Sequence, residues 1–472
     1  DPAPGIAQAR IARLGVPNGH AALITLQTQR GVVGRENDTV LYTGLADGNL
    51  RIAARGGSSV PGLPNAFFRS IVAFDGNGST VFFLATLAGK NIHSSNNVAL
   101  FAALENGSVR LLARKGARLD NSTTTVLSTL VGTQGTLAEG RWRLDDHTIG
   151  VRLSFADKTY GLYSIPDDAV QVSDWKCWMK PNFIEDEGEL RIPVTPSPIG
   201  MPAFSAAGVS YLATIPPTPN LPVRAGGITK ANDLLLIHLP VTGKSRILAR
   251  EGDPVTGLDG KPVDGIVFKS FLDPVEGSTK HVSLPLENNE VCCPACQSPD
   301  LLAMRGTNVP VEVVKRHVAF LATLKGTNVG NTNHIGLFTA TSMGAARLVA
   351  RTGSPTPEGG LWNQFVSLVL PNRTDIDALF TATLSDSGDQ KVTPENNLGL
   401  WVCTNGGAPS LLLRSGQPFF IKNFPKQIRG FVALAPAPGS IGAASGHDDD
   451  GHVSVLATFT DGTETLIHIE LP

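Results

Sequence analysis

The stretch that decides the fold is Leu111-Leu112-Ala113-Arg114-Lys115-Gly116, because its pattern returns along the chain. The pattern is two apolar residues, Ala, Arg, any residue and Gly. Close copies have their arginines at Arg250 and Arg351, and looser copies at Arg13, Arg55 and Arg414. Self-similarity at a long period indicates one supersecondary unit repeated many times. The 472 residues are therefore interpreted as an array of small units.

Each signature ends a longer unit of strands. An apolar run and a polar turn precede it, as at 98–104 and 105–108, and Asn-Gly or Asp-Gly pairs such as Asn405-Gly406 mark such turns. These pairs favour tight hairpins because both central residues need positive φ. A second apolar run lies one strand earlier, as at 81–87 and 318–324, and a fainter first strand precedes it. No stretch shows convincing helical periodicity, so the unit is predicted to contain four strands.

The spacing of the signature arginines predicts the number of units. Successive intervals from Arg13 to Arg414 are 42, 59, 136, 101 and 63 residues, and 58 residues follow. Allowing two units in the longest interval gives seven. Four-stranded sheets repeated without crossover helices predict an all-β, single-domain β-propeller over 1–472, with seven blades favoured and six or eight open. A stacked solenoid is the alternative. Two segments depart from the repeat, about 173–200 and 273–315.

Two details of the repeat carry further expectations. The strand Arg10–Arg13 is interpreted as a spare outer strand that closes the ring against the last blade. The signature arginine is predicted to be a structural anchor that bonds backbone carbonyls of the next blade. A ring of arginines binding anions along a channel is the less favoured alternative.

Composition limits the classes of partner. The net charge is −2, so there is no basic excess to neutralise phosphates, and nucleic acid is not expected as a partner. Apolar residues make up 42% of the chain, enough for a large core, and no run approaches the roughly 18 apolar residues of a spanning helix. The chain begins Asp1-Pro2-Ala3-Pro4, without a leader, which predicts a mature form after signal cleavage. We expect a periplasmic, cell-surface or extracellular location.

The cysteines suit an oxidising compartment. Cys292, Cys293 and Cys296 form a cluster, and Cys177 lies in the other atypical segment. Disulfides that staple long loops are the favoured interpretation of these four residues. A metal site and a redox pair remain alternatives, although no second Cys-x-x-Cys completes a zinc site. Cys403 lies on a strand with buried character and is predicted to be a free core thiol.

Catalytic motifs are not found. The sequence has no nucleophile elbow, Walker loop, His-Glu-x-x-His or dinucleotide fingerprint, and no cofactor is expected. The densest carboxylate cluster is 447–452, where Asp448 and Asp450 are weak candidates for calcium ligands. A solvated loop is the default interpretation because no bidentate Glu follows at the required spacing.

The repeats resemble a bacterial family of secreted tandem-repeat proteins with propeller-like repeats. The residues that match are Val318–Leu324, Gly399-Leu400-Trp401 and Arg351-Thr352-Gly353, with partial tails at Pro61-Gly62 and Asp253-Pro254. The resemblance spans most of the chain and weakens between about 116 and 230. It implies export and a surface or scaffold role, and it brings no catalytic residues.

The function that these observations favour is a non-catalytic scaffold that binds a protein partner or belongs to a multi-subunit assembly. Loops on rigid scaffolds usually carry function, and buried aromatic anchors mark interfaces. Trp175 and Trp178, in the first atypical segment, are therefore predicted to contact the partner. A protein that binds carbohydrate or matrix is one alternative, and a hydrolase or redox enzyme with a site at the central channel is another.

Overall fold

In the structure, a computed structural model, the strands are the secondary-structure elements that the described residues form. Those residues are 6–13, 20–27, 32–44, 50–77, 80–104, 106–118, 127–130, 143–145, 148–155, 160–171, 174–178, 184–185, 191–192, 197–205, 208–215, 228–240, 246–272, 275–277, 317–341, 346–370, 376–388, 391–421, 423–432 and 452–472. The chain divides into two compact units.

The first unit comprises residues 1–180, 283–308 and 441–444. Its first sheet has the strand order β1-β2-β3-β4 and its second has the order β5-β6-β7-β8. In the third sheet β10 to β13 follow in order and β9 pairs with β11. The strands are β1 Ile6–Arg13, β2 His20–Leu26, β3 Thr39–Gly44, β4 Leu50–Arg55, β5 Ala66–Asn77, β6 Thr80–Gly89, β7 Val98–Ala103, β8 Val109–Arg114, β9 Leu127–Leu130, β10 Arg143–Asp145, β11 Thr148–Phe155, β12 Tyr160–Pro166 and β13 Lys176–Cys177.

The second unit comprises residues 181–282, 309–440 and 445–472. It contains the pair β14-β15, the fourth sheet (β16 to β19), the fifth (β20 to β25), the sixth (β26 to β29) and the last sheet (β30 to β33). The strands are β14 Ile184–Glu185, β15 Arg191–Ile192, β16 Ser197–Ser205, β17 Gly208–Thr214, β18 Leu234–Pro240, β19 Arg246–Arg250, β20 Pro254–Gly257, β21 Pro262–Phe271, β22 Val275–Gly277, β23 His317–Gly326, β24 Ile335–Thr341, β25 Arg347–Arg351, β26 Leu361–Val369, β27 Ile376–Ser385, β28 Leu398–Thr404, β29 Ser410–Arg414, β30 Pro418–Ile421, β31 Phe424–Val432, β32 His452–Phe459 and β33 Glu464–Glu470.

The continuous apolar runs form the inner strands, as their sequence predicts. All six side chains of β7 are buried, and so are the first six of β6. A strand whose two faces are both covered has no polar face, which explains why these runs do not alternate. Turns join strands at Asn106-Gly107 and Asn405-Gly406, and in the first pair only the glycine has positive φ, of 81°. Between β28 and β29 both Asn405 and Gly406 have positive φ, of 51° and 71°.

Successive sheets pack face to face within each unit. In the first unit Leu41 of the first sheet belongs to one core with the second sheet, where Phe83 and Phe101 stack with ring centroids 5.1 Å apart. In the second unit the fifth sheet repeats this stack with Phe320 and Phe338, at 5.3 Å. Further cores join the fourth, fifth, sixth and last sheets in order.

Apart from the pair β14-β15, the sheets have four to six strands, are antiparallel except where β20 pairs with β25, and follow one another along the chain with their faces packed together in each unit. This construction confirms the predicted all-β, β-propeller-like class. The interpretation of Arg10–Arg13 is wrong, because β1 pairs with β2 and is the first strand of the first sheet. The blade number and the single-domain organisation stay predictions. No helix among the described residues is long and apolar enough to cross a membrane.

Candidate functional site

The signature arginine, at the end of the fourth strand, bonds to a loop of its own sheet. In five sheets its Nε donates a hydrogen bond to the backbone carbonyl of an asparagine 18 residues earlier, in the loop between the second and third strands. The prediction that this arginine bonds backbone carbonyls of the next blade is therefore wrong. The donor–acceptor distances are 3.0 Å for Arg55 to Asn37, 2.9 Å for Arg114 to Asn96, 2.9 Å for Arg250 to Asn232, 2.6 Å for Arg351 to Asn333 and 2.7 Å for Arg414 to Asn396.

The asparagine closes the loop from the other side. Its Oδ1 accepts a hydrogen bond from the backbone N–H three residues earlier in each of the five sheets, at 2.7 Å from Thr393 to Asn396. Our sequence interpretation missed this residue. An asparagine stands 18 residues before each of these arginines. This constant interval is visible in the sequence, but it lies outside the signature and is not found from the signature alone.

The signature glycine belongs to the same contact. Gly416 has a φ of 78°, and a Cβ placed on it would lie 2.7 Å from the Cβ of Asn396. Any larger residue would therefore meet both backbone strain and a steric clash. The asparagine, arginine and glycine together form a structural contact, which we call the Asn–Arg–Gly clasp. The signature therefore recurs because its residues stabilise each sheet.

The predicted site residues lie in different places. The rings of Trp175 and Trp178 are buried, with 5% and 6% of their surface exposed, and Trp175 contacts Tyr163 edge to face. Their role in partner contact stays a prediction, and as placed neither ring forms an exposed anchor. Cys177 is half-buried on β13. Cys292, Cys293, Cys296, Asp448 and Asp450 lie outside the described residues, so the disulfide and calcium predictions stay predictions.

Cys403 is a buried free thiol on β28, as predicted. Burial, with a smaller contribution from the Asp377 carboxylate, raises the pKa of this thiol above its usual value. Asp377 is itself buried and accepts a hydrogen bond from the backbone N–H of Gly406. Within the described part of the chain, no group of three His, Cys, Asp or Glu residues is arranged to hold a metal ion.

We expect Cys403 to alkylate about a hundredfold more slowly in the native protein than in urea, because the thiolate is the reactive species and burial disfavours it. A pulse of iodoacetamide at pH 8 followed by mass spectrometry of the peptide that contains Cys403 measures both rates. Equal rates in the two conditions would contradict the burial of this thiol.

One face of the last sheet carries a row of exposed apolar side chains. Val432, Leu456 and Leu466 lie directly opposite one another on β31, β32 and β33. Their exposed fractions are 73%, 44% and 69%. On the opposite face, Val455 and Ile467 are buried in the core shared with the sixth sheet. We call these three exposed residues the apolar row.

The same sheet begins with an exposed aromatic hairpin. Phe420 and Phe424 are 66% and 72% exposed at the tip formed by β30 and β31. Nearby, Lys426 Nζ donates to Asp461 Oδ2 at 2.8 Å and to Thr463 Oγ1 at 2.6 Å. The bond from Lys426, together with bonds from the hydroxyl and the backbone N–H of Thr463, holds the pKa of the Asp461 carboxyl well below its usual range. Five of the ten exposed large hydrophobic side chains described in the structure therefore belong to one sheet.

Solved structures of other proteins resemble the chain at low sequence identity. A prolyl endopeptidase structure is 8% identical with a TM-score of 0.42 over 98% of this chain, which spans half the length of that protein. The lectin BP39L from Burkholderia pseudomallei is 10% identical with a TM-score of 0.36, over 99% of this chain and 96% of the lectin. An α-L-arabinanase from Penicillium chrysogenum is 12% identical with a TM-score of 0.28, over 84% and 93% of the two chains.

No curated protein matches this sequence. A family model does match, over residues 3–151 and 308–468, which is more than half of the chain. The two matched ranges hold four of the five Asn–Arg–Gly clasps, those of Arg55, Arg114, Arg351 and Arg414. The chain belongs to the family of unknown function DUF7453.

Proposed function

We propose that this protein is an exported, non-catalytic, seven-bladed β-propeller that acts as a protein-binding scaffold in a cell-surface or periplasmic assembly. The observation that carries the proposal is the apolar row of Val432, Leu456 and Leu466 on the last sheet. Contiguous exposed apolar side chains on an otherwise well-buried protein mark interaction surfaces.

The surroundings of the apolar row have the composition of an interface. Arg429, Glu464 and Glu470 are exposed around it and supply a charged rim of both signs. Protein interfaces combine an apolar centre with a polar, hydrated rim, in which the rim sets specificity. A sheet face, with its side chains fixed in register, also offers a partner a surface that loses little conformational freedom on binding.

Photo-crosslinking tests the proposal in the cell that makes the protein. We expect p-benzoylphenylalanine in place of Leu466 to give one defined crosslinked protein, and the same group in place of Val170 to give none. Val170 is the matched control because it is 89% exposed and lies in the other unit. In the same cells, Leu456→Glu should reduce the crosslink at least about tenfold, because it places a charge in the centre of the contact.

The stability of the Leu456→Glu variant should fall by no more than about 1 kcal/mol, because 44% of the Leu456 side chain is exposed and the new carboxylate can reach water. Urea unfolding of both proteins checks this condition. Equal crosslinking at positions 466 and 170, or none at 466, would overturn the scaffold proposal.

A glycan ligand is a second candidate, favoured by the exposed pair Phe420 and Phe424. Aromatic rings on an accessible hairpin can stack on apolar faces of a ligand. The two candidates are distinguished by the variants: glycan binding would be abolished by Phe420→Ser and left unchanged by Leu456→Glu.

A further inference from the structure

The aromatic hairpin at the start of the last sheet projects past the main ladder of that sheet. Its two strands, β30 and β31, pair with each other up to Ile421 and Phe424. The ladder between β31 and β32 begins only at Ile428, and Lys426 bonds to the turn that follows β32. The tip of the hairpin, residues 420–425, therefore extends beyond the start of that ladder.

The hairpin carries an exposed phenyl ring on each of its two faces. In the full chain, Phe420 is 66% exposed and Phe424 is 72% exposed. Phe424 pairs directly with Ile421, the neighbour of Phe420, and successive side chains of a strand point to opposite faces. The two rings therefore lie on opposite faces. A flat surface can cover only one of them, whereas an apolar medium that surrounds the tip covers both.

The charge of this segment suits a negatively charged surface. Residues 415–430 contain three basic residues, Lys422, Lys426 and Arg429, and no acidic residue. Lys426 is paired with Asp461, and Arg429 is exposed on β31. Aromatic residues beside basic ones are typical of segments that bind anionic lipid, because the cations stay at the headgroups while the rings enter the boundary with the acyl chains.

The matching hairpin of the fifth sheet, formed by β20 and β21, has the opposite character. Both hairpins begin at the proline four residues after a signature arginine, Arg250 or Arg414. Residues 251–266 contain four acidic residues and one lysine. The turn there is polar, and Asp259 Oδ1 accepts a hydrogen bond from the N–H of Lys261 at 3.0 Å. The aromatic and basic character therefore belongs to the last sheet and is not a requirement of the repeated hairpin.

A lipid surface accounts for the hairpin better than a sugar does. Sites for small polar ligands place polar side chains beside their apolar walls to fix the orientation of the ligand. Here the sequence before the turn is Pro-Phe-Phe-Ile, at 418–421, and Phe424-Pro425 follows the turn. Rings on opposite faces of a hairpin also cannot stack on one sugar.

We propose that this hairpin is a membrane anchor that inserts Phe420 and Phe424 into the interface of an anionic bilayer. Insertion is shallow, because an open hairpin leaves part of its backbone without intramolecular partners and that part must stay hydrated. Arg429 remains at the level of the headgroups, where its charge meets anionic lipid. The anchor is distinct from the apolar row and holds the protein at a lipid surface, while the row contacts the partner protein.

Co-sedimentation of the full chain with sucrose-loaded vesicles measures this binding. We expect partition at least about fivefold stronger to phosphatidylcholine vesicles with about one third phosphatidylglycerol than to phosphatidylcholine alone. The double variant Phe420→Ser with Phe424→Ser should lower the partition coefficient at least about tenfold, because two rings no longer leave water. Val170→Ser, at the exposed valine of the other unit, is the control and should leave it unchanged.

A tryptophan reporter tests insertion directly. Compared with the wild type, Phe424→Trp should add fluorescence that lipids brominated on their acyl chains quench. Lys261→Trp, at the exposed turn of the matching hairpin, is the control and should add fluorescence that these lipids leave unchanged.

Equal partition of the double variant and the wild type, or equal quenching at positions 424 and 261, would overturn the proposal. Loss of glycan binding in Phe420→Ser, with no binding of the wild type to either vesicle, would overturn it in favour of a sugar site. Crosslinking at position 466 tests the scaffold function separately, so the two proposals can fail independently.

Discussion

Replacement of Trp401 by alanine is expected to lower the free energy of unfolding by about 3–5 kcal/mol, because it removes a large, fully buried ring. Trp401 lies on β28, directly opposite Phe380 on β27. Its ring meets that of Trp362 edge to face at a centroid distance of 4.7 Å. The three rings fill the space between the fifth and sixth sheets, so the cavity left by alanine could not be filled without moving a strand.

A matched variant separates the apolar contribution of the indole from that of its N–H. Trp401 Nε1 is buried and has no hydrogen-bond partner among the described residues. An unsatisfied buried donor costs about 1–3 kcal/mol, which offsets part of the stabilisation that the ring provides. We therefore expect Trp401→Phe to change stability by no more than about 1 kcal/mol despite its smaller volume.

Urea unfolding followed by circular dichroism measures both variants. The slope of the free energy of unfolding against urea concentration is compared between them, to confirm that unfolding exposes the same surface. Because the chain has two compact units, amide exchange of β28 provides a local measurement of the second unit. A loss for Trp401→Ala below about 1 kcal/mol would contradict the described packing.

The strands could be predicted well from the sequence because each unit must cover its inner strands on both faces. A strand covered on both faces must be apolar throughout, so runs such as 81–87 and 318–324 could be recognised without any structure. The turn at Asn405-Gly406 was equally predictable, since few residues tolerate positive φ at both positions. Repetition strengthened each assignment because the same order of elements recurs.

Strand pairing and packing between residues distant in the sequence were harder to predict. The pairing of β1 with β2 depends on which neighbour offers an edge, and the pattern around Arg13 carries no information on that choice. Likewise, Trp175 and Trp178 stand in an atypical segment, yet burial against Tyr163 and its surroundings is decided by the tertiary structure.

The candidate surface escaped sequence interpretation for a related reason. Leu456 and Leu466 read as ordinary strand residues, and their exposure depends on what packs on each face of the sheet, which the sequence does not state.

The Asn–Arg–Gly clasp gives the second large effect: Arg414→Met should lower the free energy of unfolding by about 1.5–3 kcal/mol, because a charged donor to a half-buried carbonyl is lost. Methionine keeps the apolar stem of the side chain, so the change in the free energy of unfolding measures the contribution of the guanidinium group. Asn396→Ala should cost about 1–3 kcal/mol, because the N–H of Thr393 loses its acceptor at 2.7 Å.

The decisive measurement is the double variant. Arg414 Nε donates to the backbone carbonyl of Asn396 at 2.7 Å, and the side chain of the same asparagine accepts from the N–H of Thr393, so we expect the two residues to act as one network. Residues that share one network are not additive, and we expect the double variant to be more stable than the sum of the single losses predicts by about 0.5–3 kcal/mol. Arg429→Met, at an exposed arginine of β31, is the control and should change stability by less than about 0.5 kcal/mol. Strict additivity would show that the arginine and the asparagine stabilise the sheet independently, and the clasp would then be two separate contacts that happen to recur together.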